Sequence, residues 1–156
     1  MKRRVLLVDA DPQANATTGS GLEKVDETQG TSSALLNLEG KRIFKTDGLG
    51  YDVMPSGPSL VATESELRNM EERELALLKS LEPLKDKYDY VIIDCPPSLN
   101  LLTINGLRAS KNLLVPMQCE YYALEGLSGL DETFHRVKES ANRDLMIEGV
   151  VRTMYD

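Results

Sequence analysis

Three aspartates are the residues best placed to do chemistry in this chain. Asp9 and Asp11 follow the apolar run Val5–Val8 in "VLLVDADPQANATTG", and Pro12 ends the run. Side chains on an extended strand return to the same face every second residue, so Asp9 and Asp11 are expected on one side. Two carboxylates on one face repel and call for a cation or a water network between them. That suits a Mg2+ shell and a positioned attacking water. The rival is a strand end carrying two solvated acids. Asp94 closes a second apolar run, in "YDYVIIDCPPS", just before Pro96 and Pro97. An aspartate at the end of a buried strand holds hydrated Mg2+ in many nucleotide-hydrolysing sites. Mg2+ keeps several waters and takes one or two protein carboxylates, so Asp94 can act through a coordinated water. The two prolines stiffen the loop where a terminal phosphate would lie, a useful place for a switch. The alternative for Asp94 is a cap on the helix that follows.

These acids need a frame, and the frame is legible as alternation. Apolar runs too short for helices recur at Val5–Val8, Tyr51–Met54, Tyr90–Ile93, Leu113–Val115 and Met146–Val151. Between them lie segments with helical spacing. One covers 66–88, with Leu67, Met70, Leu75, Leu78 and Leu81 among many charges and a break expected near Met70 or Pro83. Others cover 98–110 with Ser98 as its cap, 123–140 loosened by Gly126 and Gly129, and 30–40 capped by Thr31 or Ser32. Strands apolar at successive positions are expected to be buried on both faces of a parallel sheet covered by helices. Ligands then sit outside the carboxyl ends of the strands. Those ends carry Asp9/Asp11/Pro12, Pro55/Ser56/Gly57, Asp94/Pro96/Pro97, Pro116/Gln118/Glu120 and Thr153/Asp156, expected on one rim.

Composition narrows the partners. The 156 residues predict a single domain, and 41% hydrophobic content supplies a real core. A net charge of -7 gives no electrostatic footprint for nucleic acid. The N-terminus shows no secretory leader and no run reaches membrane-spanning length, so a cytoplasmic protein without a membrane partner is expected. Cys95 and Cys119 lack CxxC spacing and read as reduced, buried thiols. His135 reads as a helix-surface residue, and metal sites built from His/Cys clusters are excluded. "VLLVDADP" also resembles the acidic pair of response-regulator receiver domains. Asp94 lies too far downstream for that fold, and no lysine ends a later strand.

Taken together, the segments resemble the ParA/Soj family of chromosome- and plasmid-partitioning ATPases, within the group that includes MinD. The resemblance rests on "VLLVDADPQANATTG" (5–19), "YDYVIIDCPPSLNLLTINGL" (88–107), "VPMQCEYYALEGLSGL" (115–130) and "DLMIEGVVRTMYD" (144–156). It implies an α/β, three-layer P-loop NTPase-like domain with a mainly parallel sheet. It implies that Asp11 orients the water attacking the γ-phosphate, Asp9 supports the Mg2+ shell and Asp94 holds Mg2+ through water. Pro96 and Pro97 would form the switch loop, and Glu120 would sit at a dimer face near the partner's nucleotide. ATP and Mg2+ are the implied cofactors. A ParB-type protein and a second copy are the implied partners. Non-specific DNA is bound by the intact family but is not expected of this acidic chain.

The family's phosphate-binding loop, of the form KGGxGKTT, has no counterpart in these 156 residues. The expectation is therefore the central portion of such an ATPase, truncated at both ends, with weak or no hydrolysis by itself. Strand-swapped or edge-paired dimers are a further expectation. Two other classes stay open. One is a non-catalytic module pairing with a full-length ParA or a ParB-like partner. The other is a relative of the nitrogenase iron protein using Cys95.

Overall fold

The computed structural model describes residues 3–46, 48–118 and 123–154. The chain forms two compact units, Met1–Gly106 and Leu107–Asp156. In the first unit β1 (Val5–Asp9), β2 (Phe44–Lys45), β3 (Asp52–Met54) and β4 (Tyr90–Asp94) form one sheet in the order β2-β3-β1-β4. β1 runs parallel to both β3 and β4, and the two-residue β2 pairs antiparallel at the edge. Leu6, Val8, Val53 and Met54 are fully buried, as continuous apolar strands in a parallel sheet require.

The expectation of burial on both faces fails at β4. Tyr90, Val91 and Ile92 are 56%, 39% and 56% exposed. β4 has one neighbour in its sheet, so its outer edge and flanking side chains lack the cover that β1 receives from two.

Except over 123–140, where the helix has the expected bounds, the helical segments are shorter than their spacing predicts. α1 (Asn15–Gly19) and α2 (Gly30–Leu35) follow β1. Gln29, not Thr31 or Ser32, precedes α2, and it makes no side-chain cap bond. The two serines and Thr31 are instead buried inside α2. The long helix expected over 66–88 is several pieces: α3 (Leu60–Leu67) begins earlier, and α4 (Ala76–Leu81) follows a 3-10 turn at Arg73–Leu75. Glu72, with φ 51°, redirects the chain between them near the expected break at Met70. Pro83 lies at the start of a second 3-10 turn, Glu82–Leu84, since its ring opposes continuing the α-helix.

The start of β1 is tied to the start of β4 by an ion pair. Arg4 Nη2 lies 3.0 Å from Asp89 Oδ1, and the Arg4 amide donates to Asp89 Oδ2 at 2.8 Å. Those hydrogen bonds hold the Asp89 carboxyl down at about 2. A depressed folded value makes the pair's contribution full above the ordinary aspartate range and lost as pH falls through about 2. The stability gap between the native chain and Asp89→Asn should therefore close between about pH 4 and pH 2. Urea titrations of both proteins across that range check it, and a pH-independent gap contradicts it.

The last residues of α5 (Leu101–Ala109) begin the second unit, and β5 (Asn112–Gln118), α6 (Ala123–Ser140) and β6 (Met146–Thr153) follow. β5 and β6 pair in parallel with a register shift between Leu113 and Leu114. Leu107, Phe134, Val137 and Leu145 form the local core. The Asn142 amide donates to the carbonyls of Leu107 and Ser110 at 2.9 and 2.7 Å, closing the end of α5. His135 pairs on the helix surface with Asp131 at 3.3 Å, as its position predicts. β6 departs from expectation: Met146, Ile147, Val150 and Val151 are each more than 40% exposed, because β6 is paired on one side only.

Candidate functional site

The carboxyl ends of β1, β3 and β4 lie side by side. The chain leaves β1 for β3 on one side and later returns to β4 on the other. That reversal makes the gap between β1 and β4 a switch point, where open α/β sheets place ligands. Asp9 and Asp94 are register partners there, and the Ala10 amide extends the ladder to the Asp94 carbonyl at 2.8 Å.

Asp9 and Asp11 do not form the expected same-face pair. β1 ends at Asp9, and the chain turns at once. Asp9 is fully buried beneath that turn. Its Oδ1 accepts from the Asp11 amide at 3.1 Å, and its Oδ2 accepts from the Thr17 amide and hydroxyl, each at 2.7 Å. Asp11 is partly exposed, and its Oδ1 accepts from the Gln13 amide at 2.8 Å. These are successive Asx turns, the local bond that short acidic side chains offer a backbone leaving a strand.

Asp94 stands at the exposed end of β4. Its carboxyl is pushed above the ordinary aspartate range, first by lost hydration and then by the negative charges of Asp9 and Asp11. This charge crowding is what a bound cation relieves, so the residues fit Mg2+. Among the described residues, however, no three His, Cys, Asp or Glu side chains are grouped so as to hold a metal directly. A Mg2+ ion at these residues would have to keep most of its own waters.

The loop after Asp94 is pinned from α5. The Thr103 hydroxyl lies 2.6 Å from the Ser98 carbonyl and 3.3 Å from that of Pro96. Pro96 is buried and Pro97 exposed. Asn100, not Ser98, caps α5: its Oδ1 accepts from the amides of Leu102 and Thr103, each at 3.1 Å. Glu64 of α3 adds a weaker contact to the Leu101 amide at 3.4 Å. Glu120 and Cys119 lie outside the described residues.

Thr17 and Gly30 were not singled out from the sequence, and Ser56 and Thr31 were read there only as a strand-end residue and a helix cap. Thr17 and Ser56 bind the strand ends together, and the Thr31 hydroxyl donates to the Asp9 carbonyl at 2.6 Å. Gly30, at φ +57°, lets α2 start against the Pro55 carbonyl, where a Cβ would collide. The available signal was small hydroxyl residues one short loop beyond each apolar run.

A model of the AAA domain family matches residues 1–147. Over 156 residues the chain is 51% identical to the sporulation initiation inhibitor protein Soj of Bacillus subtilis, covering 99% of this chain and 62% of that protein. It is 48% identical to the chromosome partitioning protein ParA of Myxococcus xanthus, covering 99% of this chain and 56% of that protein. The chain belongs to the ParA/Soj family.

Solved structures agree on the fold. A Mycobacterium smegmatis structure described as cobyrinic acid a,c-diamide synthase with bound ATP analog and magnesium superposes with a TM-score of 0.90. It is 38% identical, covering 99% of this chain and 64% of that one. A plasmid partition protein from Borrelia burgdorferi bound to AMPPNP superposes with a TM-score of 0.78 at 29% identity, covering 99% and 65%. The fold is thus that of the ParA-like P-loop NTPases, with an α/β, mainly parallel sheet. The chain spans about 60% of the length of the curated relatives it matches.

Within this ParA/Soj chain Cys95 has a packing role. Its thiol is pushed up to about 12, by burial first and then by the charges of Asp94 and Asp11. It sits against α5 where a Cβ at Gly106 would run into its Sγ. Gly106→Ala should destabilise the chain by about 1–3 kcal/mol, with much of the loss recovered in Cys95→Ala/Gly106→Ala. A double-mutant cycle by chemical denaturation reads this directly, and additive effects contradict it.

Proposed function

We propose that this chain carries the carboxylate half of the Mg-ATP site of a ParA-type partitioning ATPase. The observation that carries the reading is the convergence of Asp9, Asp11 and Asp94 on the β1–β4 switch point, in a chain of this family. Mg2+, when bound, would screen the negative charge of a triphosphate and of these acids. Asp94 is the residue that would hold it, through a coordinated water. Asp11, partly exposed, accepts a hydrogen bond from the attacking water and orients it. Asp9 supports the cation with its charge from beneath the turn. Pro96 and Pro97 form the switch loop, with Thr103 as its clasp. Glu120 is proposed for the dimer face. A ParB-type protein and a second copy of the chain are the proposed partners, and ATP-dependent segregation of a chromosome or plasmid the proposed role.

Three acids facing a triphosphate repel it unless a cradle of amides and lysines offsets them. The isolated 156 residues are therefore proposed to hydrolyse ATP poorly or not at all. The test is to precede the chain with the strand, phosphate loop and helix of the Bacillus subtilis relative and to measure phosphate release with Mg-ATP. The expected result is hydrolysis in the extended protein only, falling about a hundredfold or more in Asp11→Ala. Hydrolysis indifferent to Asp11, or none in the extended protein, overturns the reading.

A second reading, a module that binds protein without nucleotide, is favoured by one observation. The edge strand β4 presents Tyr90, Val91 and Ile92 to solvent, and unpaired apolar edges associate. Pull-down of a full-length family member without nucleotide would support it.

A further inference from the structure

Five hydrogen bonds close a ring around the backbone of Asp11. The Asp11 amide donates to Asp9 Oδ1 at 3.1 Å. Asp9 Oδ2 accepts from the Thr17 amide and hydroxyl, each at 2.7 Å. The Thr17 Oγ1 accepts in turn from the Ser56 amide at 2.9 Å. The Ser56 hydroxyl returns to the Asp11 carbonyl at 2.7 Å. Asp9, Thr17 and Ser56 are each fully buried.

The direction of each proton follows from the donors available. An amide can only donate, so the Ser56 amide makes Thr17 Oγ1 an acceptor, and the single Thr17 hydroxyl proton goes to Asp9. A carbonyl can only accept, so the Ser56 hydroxyl proton goes to Asp11. Both polar groups of the Asp11 peptide backbone are thereby fixed to side chains from other elements, Asp9 at the end of β1 and Ser56 beyond β3.

We propose that Thr17 and Ser56 are positioning residues that hold Asp11 at its place beside Asp94, with Asp9 as the buried hub rather than a direct metal ligand. The proposal rests on the reading of Asp11 and Asp94 as the Mg-ATP carboxylates. Asp9 fits the hub role because both its oxygens are engaged and the residue has no exposed surface. Asp11 keeps a partly exposed side chain, and Asp94 an exposed one. The ring does not engage the working carboxylate, whose Oδ1 accepts from the local Gln13 amide, and it immobilises the peptide that carries it.

The test uses the 156-residue chain with Thr17→Val, Thr17→Ser and Ser56→Ala. Thr17→Val keeps shape and loses the hydroxyl, Thr17→Ser restores it, and Ser56→Ala removes only the bond to the Asp11 carbonyl. Two readouts are taken by NMR: hydrogen exchange of the Asp11 amide, and line broadening by Mn2+ at the Asp11 and Asp94 amides. In Thr17→Val the Asp11 amide should exchange about tenfold faster, with its Mn2+ broadening reduced relative to that of Asp94. Thr17→Ser should restore both, and Ser56→Ala should reproduce the broadening change in a milder background. An unchanged Asp11-to-Asp94 broadening ratio in Thr17→Val and Ser56→Ala overturns the proposal. If Asp94 shows no broadening in the native chain, the metal reading fails instead. The exchange rate of the Asp11 amide then still decides whether the ring holds it: native-like exchange in Thr17→Val overturns the ring, and faster exchange supports it.

Discussion

Asp9→Ala is expected to lower stability by about 2–4 kcal/mol, whereas Asp11→Ala is expected to change it by less than about 0.5 kcal/mol. Both remove an aspartate of the same short segment. The difference comes from what each carboxylate satisfies. Removing Asp9 strands the Thr17 amide and hydroxyl in a fully buried place and releases the part-buried Asp11 amide. Each unsatisfied buried donor costs about 1–3 kcal/mol, and relief of a buried negative charge offsets part of the total. Removing Asp11 releases the Gln13 amide, which lies near solvent and can bond to water. For a chain of this size the Asp9 effect corresponds to a fall in Tm of roughly 5–15 °C. Thermal unfolding of the two variants side by side checks it. Equal losses would mean that Asp9 is not the hub of the turn.

Asp94→Asn is expected to do the opposite. Asp94 carries an unfavourable charge, since lost hydration and the acids at positions 9 and 11 all disfavour ionisation. A folded value above the unfolded one means that the native state binds the extra proton in that interval. Stability therefore falls as pH rises through the ordinary aspartate range toward the folded value, and stays lower above it. Neutralising the side chain should raise the metal-free Tm at neutral pH. It should also abolish any further rise on adding Mg2+, because the residue that would hold the ion is gone. Unfolding scans of both proteins with and without Mg2+ measure the two effects together. A functional residue that costs stability gives this signature, gain in one assay and loss in the other. A variant that is less stable and still responds to Mg2+ would remove Asp94 from the site.

Much of the frame was legible, and the misses share a cause. Continuous apolar runs marked β1, β3, β4, β5 and β6, though the burial of successive residues expected of a parallel strand fails at β4 and β6. β2 escaped notice because Phe44–Lys45 is too short to show a period. The spacing of Leu67, Met70, Leu75 and Leu78 read as one helix. The break expected near Met70 falls at Glu72, in the left-handed region, but the early start of α3 at Leu60 was not expected. Ser98 looked like a cap, but Thr103 bonds back to its carbonyl and Asn100 takes the cap two residues on. Asp94 was found by position alone at the end of its run. The contrast between Asp9 and Asp11 was not, since it depends on Thr17 folding back beneath the strand end. The exposure of Tyr90 and Val150 was also invisible, because a strand's sequence does not say how many neighbours it has.

The central claim is that Asp94 and Asp11 flank one cation site at the β1–β4 switch point. The most direct measurement is a Mn2+ titration of the isotope-labelled chain, following amide line broadening residue by residue. The account predicts broadening centred on Asp94, Cys95 and Asp11, and its loss in Asp94→Asn. Broadening centred instead on the surface acids near Glu82 and Asp86, unchanged in Asp94→Asn, would contradict it.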